Sequence, residues 1–282
     1  MKKISIFLIL ILSAQAAFAQ AVPTLLVPAD SRSLAMGGVA LPKDASKLDV
    51  QAFYGMWAPK SAGSSLLGGD VFFRLNDRVA LNVEGRVFSD KPYDITNAQG
   101  QVTGTFSPKD LIFGAGVSVA FSDAFGATLK ARYVSSAIAP DGQGGAFCAD
   151  LSVDYKGEIA FASAGVRNLG SQINYGGSSS YALPAMAAVS GGVRPVAGLT
   201  VGAEVDYLFS GALMAGLGVE YTIVDIVSLR GGFHYGDAAK AIPMYASLGL
   251  GVKFAGVHLD FTYLLASETL GNSLMVGLGY SF

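Results

Sequence analysis

The sequence predicts an all-β fold: a transmembrane antiparallel up-and-down β-barrel of about fourteen strands, with an N-terminal plug segment. Three observations carry that prediction. Of the 282 residues 51% are apolar and only 14% charged, and mean hydropathy is +0.46; a water-soluble domain carries about a quarter charged residues. Beyond residue 19 no stretch approaches the roughly 18 unbroken apolar residues that a membrane-crossing helix needs. The apolar residues fall instead on every second position, segment after segment, which is how a strand shows one face to lipid and the other to a lumen.

The first element is a secretory signal over 1–19. Lys2 and Lys3 form the basic n-region, Ile4 to Leu12 the apolar core, and Ala17-Phe18-Ala19 a small-x-small cleavage site, so Gln20 is expected to begin the mature chain. Residues 20–49 do not alternate. Within them Ser31-Arg32-Ser33-Leu34-Ala35-Met36-Gly37-Gly38-Val39 reads as a turn or short helix stopped by glycines. This segment is expected to enter the lumen from the periplasmic side as a plug, with Arg32, Met36, Gly37 and Gly38 as its latch.

The barrel is expected over 50–282, with strands near 50–58, 65–75, 78–88, 109–121, 125–138, 146–155, 158–168, 185–194, 198–209, 212–222, 226–235, 243–254, 256–265 and 272–282. In the last, Leu274, Val276, Leu278, Tyr280 and Phe282 share one face, and Ser273, Met275, Gly277, Gly279 and Ser281 the other. Leu278, Tyr280 and the terminal Phe282 are a candidate assembly signal for the barrel-assembly machinery. Short links at 76–77, 122–123, 156–157, 196–197 and 255 alternate with longer ones at 89–108, 139–145, 169–184 and 236–242. Short turns belong on the periplasmic side and long loops outside. The same alternation puts Leu250 toward lipid and Gly249 inward, where serine is expected to be tolerated.

Charges almost all fall on the inward face. The carboxylates Asp70, Glu84, Asp206 and Asp260 are candidate partners for Arg32, whose planar fork can grip a carboxylate with two hydrogen bonds. Both signs are mixed among the inward residues, which fits an ion-paired interior better than a selectivity-setting pore. Removing the two signal lysines leaves 17 basic against 21 acidic residues, which argues against nucleic acid as a partner. One cysteine, Cys148, excludes an intramolecular disulfide, and His234 and His258 are too few for a histidine metal site. No cofactor, metal or catalytic residue is expected, and the chain is not read as an enzyme. Outer-membrane lipid and lipopolysaccharide are the expected surroundings of a multi-pass outer-membrane protein.

Several motifs resemble the PorV/PorQ family of outer-membrane proteins, itself related to the FadL fatty-acid transporter. They are Ala29-Asp30-Ser31-Arg32-Ser33-Leu34-Ala35-Met36-Gly37-Gly38, Gly165-Val166-Arg167-Asn168-Leu169-Gly170 followed by Ala182-Leu183-Pro184, Ser228-Leu229-Arg230-Gly231-Gly232-Phe233, and Leu270-Gly271-Asn272-Ser273. The resemblance spans nearly the whole mature chain. It implies a fourteen-stranded FadL-like barrel that works as a protein-interaction component of type IX secretion or surface-protein assembly, with secretion components or cargo as partners. The chain departs from the family pattern at Tyr54-Gly55-Met56-Trp57-Ala58-Pro59, where relatives carry an Asn-Pro-Ala-Gly turn, and its outer loops are modest. The FadL relation implies the alternative, a transporter of small hydrophobic compounds across the outer membrane.

Overall fold

A computed structural model describes residues 20–28, 30–43, 47–58, 62–237, 239–266 and 270–282. The expected signal peptide lies outside the described residues. Among those described, fourteen antiparallel strands close a barrel. They are β1 Leu48–Trp57, β2 Ser64–Arg74, β3 Val79–Ser89, β4 Lys109–Ala120, β5 Phe125–Ala139, β6 Gly142–Lys156, β7 Ala160–Gly170, β8 Met186–Val193, β9 Leu199–Leu208, β10 Ala212–Ile223, β11 Val227–Gly236, β12 Tyr245–Phe254, β13 Val257–Ala266 and β14 Ser273–Ser281. Each pairs with its neighbour in sequence, and β1 closes on β14 from Asp49↔Ser281 to Met56↔Leu274. The first strand starts at Leu48, two residues before the expected boundary.

The faces follow the alternation. Val201, Val205, Leu250, Leu259, Phe261 and Leu278 point outward and are exposed, whereas Glu204, Asp206, Ser247 and Thr262 between or beside them are buried in the lumen. An apolar exterior with an ion-bearing interior is the inverse of a soluble sandwich and suits lipid.

Two loops differ from expectation. The stretch 139–145 is not a loop: β5 and β6 keep pairing up to Ala139↔Gly142 and rise as a hairpin above the neighbouring strands. Gly144 and Gly145, within the expected link, serve close approach. A Cβ on Gly144 would stand 2.3 Å from the Asn174 carbonyl oxygen, and one on Gly145 2.5 Å from the Tyr133 hydroxyl. The stretch 89–108 contains its own small hairpin, Tyr93–Thr96 against Val102–Phe106.

The N-terminal segment runs inside the barrel, but Gln20 does not lie at the turn end, the end expected to be periplasmic. Gln20 bridges to Ala182 in the link between β7 and β8, and its side chain donates to the Ser210 hydroxyl between β9 and β10. Both lie at the end that carries the long loops, the loop end. The chain then descends toward the opposite, turn end at Arg32, rises to Gly37, and descends again to Lys43 before entering β1.

Candidate functional site: a plugged lumen between two cavities

The plug is a five-residue helix, α1, Ser31–Ala35. Asp30 caps it by accepting from the Ser33 amide at 2.7 Å and from the Ser33 hydroxyl at 2.9 Å. The helix ends in the turn Met36-Gly37-Gly38, where both glycines have positive φ, 72° and 91°. That turn is pressed onto a seam of glycines on the inner wall. A Cβ on Gly218 of β10 would meet the Met36 carbonyl oxygen at 2.4 Å; one on Gly232 of β11 would meet the Gly37 amide nitrogen at 2.2 Å; one on Gly249 of β12 would meet the Ala35 Cβ at 2.5 Å. Side chains here would push the plug off the wall, so glycine at these positions builds the seat. Leu34, Ala35, Met36 and Val39 are completely or almost completely buried as a result.

Polar bonds fix the rest of the segment. Ser31 shares a hydrogen bond with Thr262, whose hydroxyl also donates to the Ser31 carbonyl at 2.6 Å. Ser247 donates to the Ala35 carbonyl at 2.8 Å, and the Ala40 amide donates to Glu204 at 2.6 Å. Nearer the loop end Thr24 donates to Asp110 at 2.8 Å, and Arg86 donates to the Val27 carbonyl at 3.1 Å. These bonds meet polar groups that would otherwise be stranded inside the barrel.

The partner of Arg32 differs from expectation. Its fork takes Glu220 of β10, Nε at 2.9 Å and Nη2 at 2.6 Å, not Asp70, Glu84, Asp206 or Asp260. Glu220 also accepts from Arg230, which reaches Asp260 in turn. Alternation puts all five acids on the inner face, but which one meets Arg32 depends on barrel register and on the path of the plug. The four named carboxylates have other partners. Asp70 takes Lys43 and Gln51. Glu84 takes Arg132 at 2.5 Å, Lys130 at 3.0 Å and Arg86 at 3.4 Å. Asp206 lies 3.7 Å from Arg167, which grips Glu204 at 2.5 Å. Asp260 lies beside His258, which also faces Asp49 at 3.3 Å.

The two histidines and Cys148 are lumen residues. His234 stacks on Tyr245 with centroids 4.7 Å apart, and its Nδ1 faces the Gly37 carbonyl at 3.2 Å. Cys148 is buried among Ile112, Val134, Ala146 and Ile173.

The plug and the layer of paired ions around Glu84, Arg132, Arg167 and Glu204 divide the lumen. Toward the turn end lies a polar vestibule of about 750 Å³, walled by Arg32, Lys43, Asp49, Glu220, Arg230 and His258 among others. Toward the loop end lies a cavity of about 560 Å³ of different character, lined by Leu26, Val27, Trp57, Phe88, Ile242 and Pro243 with Gln20, Thr24, Ser210 and Lys240. Its polar side chains are already engaged: Gln20 with Ser210, Thr24 with Asp110, and Lys240 with the Ser210 carbonyl at 3.2 Å. What this cavity offers a ligand is therefore mainly apolar surface, with the Lys240 ammonium as its one charged group. Sequence reading missed it, because its wall is assembled from five separated stretches: the N-terminal segment, the end of β1, the end of β3, and the links around Ser210 and Ile242. Trp57 was the one legible sign, an aromatic at a strand end.

No protein-family model and no curated protein matches the chain. Among solved structures, it is similar to the Ralstonia pickettii toluene transporter TbuX at 12% identity and TM-score 0.65, covering 91% of this chain and 99% of that one. It is similar to the P. putida toluene transporter TodX at 12% identity and TM-score 0.63, with the same coverage. The CymD monoaromatic hydrocarbon channel matches at 11% identity and TM-score 0.64, covering 91% and 98%. At such identities the likeness is one of fold: this chain has the barrel architecture of these hydrocarbon transporters.

Proposed function

We propose that this chain is an outer-membrane channel for small hydrophobic compounds, and that the loop-end cavity is where they are taken up. The observation that carries the reading is the chemistry of that cavity: an apolar wall of Leu26, Val27, Trp57, Phe88, Ile242 and Pro243, with its few polar groups already hydrogen-bonded. Such a wall favours a largely apolar guest, since most of its surface has no hydrogen-bonding group to replace lost water, with the Lys240 ammonium as its one charged group. Barrel likeness to toluene and monoaromatic-hydrocarbon transporters supports the same reading. It favours transport over the secretion-component role that the PorV/PorQ resemblance implies, because a partner-binding barrel has no need of a ligand cavity above its plug. Passage beyond the cavity requires the N-terminal segment or the ion layer to yield, since buried Leu34, Met36 and Val39 stand between the two cavities.

Trp57 is the sole tryptophan of the sequence, so its fluorescence reports the cavity directly. Titrating the detergent-solubilised protein with toluene should give a saturable emission change, and Leu26→Asp should abolish it. An unsaturable response, identical in the variant, would refute the assignment; a secreted protein that co-purifies in its place would restore the secretion reading.

A further inference from the structure

The turn end carries a ring of exposed apolar side chains, of which only Val196 also borders the vestibule. Each of the six turns there bears or adjoins one: Leu75, Phe121, Ile159, Val196, Val224 and Phe254, with Phe282 at the chain end. Val224 is 78% exposed and Phe254 73%. Turns standing in water are ordinarily polar. At the opposite end the tips Gln99-Gly100, Asp141 and Ser178-Ser179 are wholly polar, whereas the turns here set exposed apolar side chains beside polar ones such as Asp77, Asp123, Glu158 and Asp225.

Backbone geometry at β10–β11 sharpens the point. Val224 and Asp225 both have positive φ, 47° and 59°. That pair of angles makes a tight hairpin turn that asparagine and glycine enter freely and a β-branched residue enters only under strain. The chain nevertheless places valine there and points it outward. An exposed apolar side chain thus stands where a relaxed backbone would take asparagine or glycine.

The turns also satisfy their own polar groups. Asn76 accepts from the Arg78 and Val79 amides, each at 2.9 Å, and the Leu75 amide reaches the Val79 carbonyl. Ser122 accepts from the Phe125 amide at 3.1 Å, and the Gly157 amide bonds the Ala160 carbonyl at 2.8 Å. Internal pairing is what a backbone needs where water is scarce.

We infer that this rim is a lipid-contact surface: the turns sit at the headgroup–acyl boundary of the adjacent leaflet and do not project beyond it. The occupant is phospholipid, because the ring continues without a break from the lipid-facing wall at Phe125, Tyr155, Tyr221 and Tyr280, which are exposed on the same side of their strands. Asp77, Asp123 and Asp225, in the same turns, stop the immersion at the interface. The vestibule therefore opens at the membrane surface.

The test uses Cys148→Ser as background, with single bimane-labelled cysteines at Val224, Ile159, mid-wall Leu250 and loop-tip Gln99. Each variant is checked for heat-modifiable migration and reconstituted into phosphatidylethanolamine–phosphatidylglycerol vesicles with or without brominated acyl chains. The Val224 and Ile159 probes should lose most of their emission to bromolipid and resist aqueous iodide, while Gln99 does the reverse. Iodide access equal to that of Gln99 would put the turns in water and overturn the inference. Shielding from both quenchers would mean a protein covers the rim and would overturn it equally. If Val224→Cys fails to fold, Ile159→Cys decides. Leu250 separates the levels: if even its probe escapes bromolipid, the membrane barrel itself is wrong.

Discussion

Arg32 holds Glu220 across 188 positions of sequence with two hydrogen bonds, 2.9 and 2.6 Å, in a fork-to-fork pair. Glu220 is almost fully buried and Arg32 about three-tenths exposed. Removing the arginine leaves the acid with Arg230 alone. Arg32→Ala should therefore destabilise the folded barrel by about 1–3 kcal/mol, less than a fully buried pair because solvent screens the open side. Arg32→Lys should fall between, keeping the charge and losing the fork. Urea-dependent loss of the heat-modifiable band measures both; an unchanged midpoint for Arg32→Ala would mean the pair is ornamental.

The glycine seat gives a test between neighbours. Gly231→Ala should be silent, since its added Cβ meets nothing within 4 Å, whereas Gly232→Ala drives a Cβ to 2.2 Å from the Gly37 amide nitrogen. The second variant should still insert but expose the N-terminal segment to protease. Equal cleavage of the two would separate the plug from its seat.

Conductance checks the division of the lumen. In planar bilayers the intact protein should conduct little, because Leu34, Met36 and Val39 are buried in the closed section. A variant lacking 24–45, if it folds, should conduct more. The increase should be partial, because the Glu84–Arg86–Lys130–Arg132 cluster remains in place. A large steady conductance from the intact protein would refute the plug.

At Leu250 and Gly249 adjacent positions should fail differently. Leu250→Arg puts a charge on the lipid face, costing about 2–4 kcal/mol at mid-membrane, and should block assembly. Gly249→Ser should assemble and disturb the plug, since its Cβ would stand 2.5 Å from that of Ala35. This corrects the expectation from alternation alone that serine is tolerated there. Insertion assays and proteolysis of the plug separate the two defects.

Phe282 should matter twice over. Its carbonyl accepts from the Lys47 and Leu48 amides at 2.9 and 3.0 Å, and its amide donates to Leu48 at 2.7 Å, finishing the β1–β14 seam. Deleting it should lower folded barrel in the outer membrane and leave export intact. Phe282→Ala keeps those three bonds, so a defect in it isolates the side chain as an assembly signal. Normal insertion of both variants would dismiss that signal.

Which residues were legible follows from the range of the forces involved. Period-two alternation is local, so inward Glu204 and outward Leu250 could be read from their own strands. A capped helix closed by glycines is local too, and Ser31–Ala35 with Gly37 showed it. The partner of Arg32 was not local: Glu220 wins over Asp260 through the barrel register from β10 to β13 and the path of the plug. The span 139–145 reads as a link because the close approaches of its Gly144 and Gly145, to Asn174 and Tyr133, leave no local mark in the sequence. The loop-end cavity had no local signature, since Leu26, Trp57, Phe88 and Ile242 belong to different elements.

With Gln20 at the loop end and Leu48 entering β1 at the turn end, the leading segment is a thread that traverses the cylinder. A closed cylinder cannot be threaded afterwards by anything bulky. The segment must already lie in place when β1 meets β14, so the wall zips shut around the residues that lead into it. A compact domain fused ahead of Gln20 would have to be drawn through before that last seam forms. Such fusions should stall closure, while insertions of equal size at the Gln99 tip should pass unnoticed.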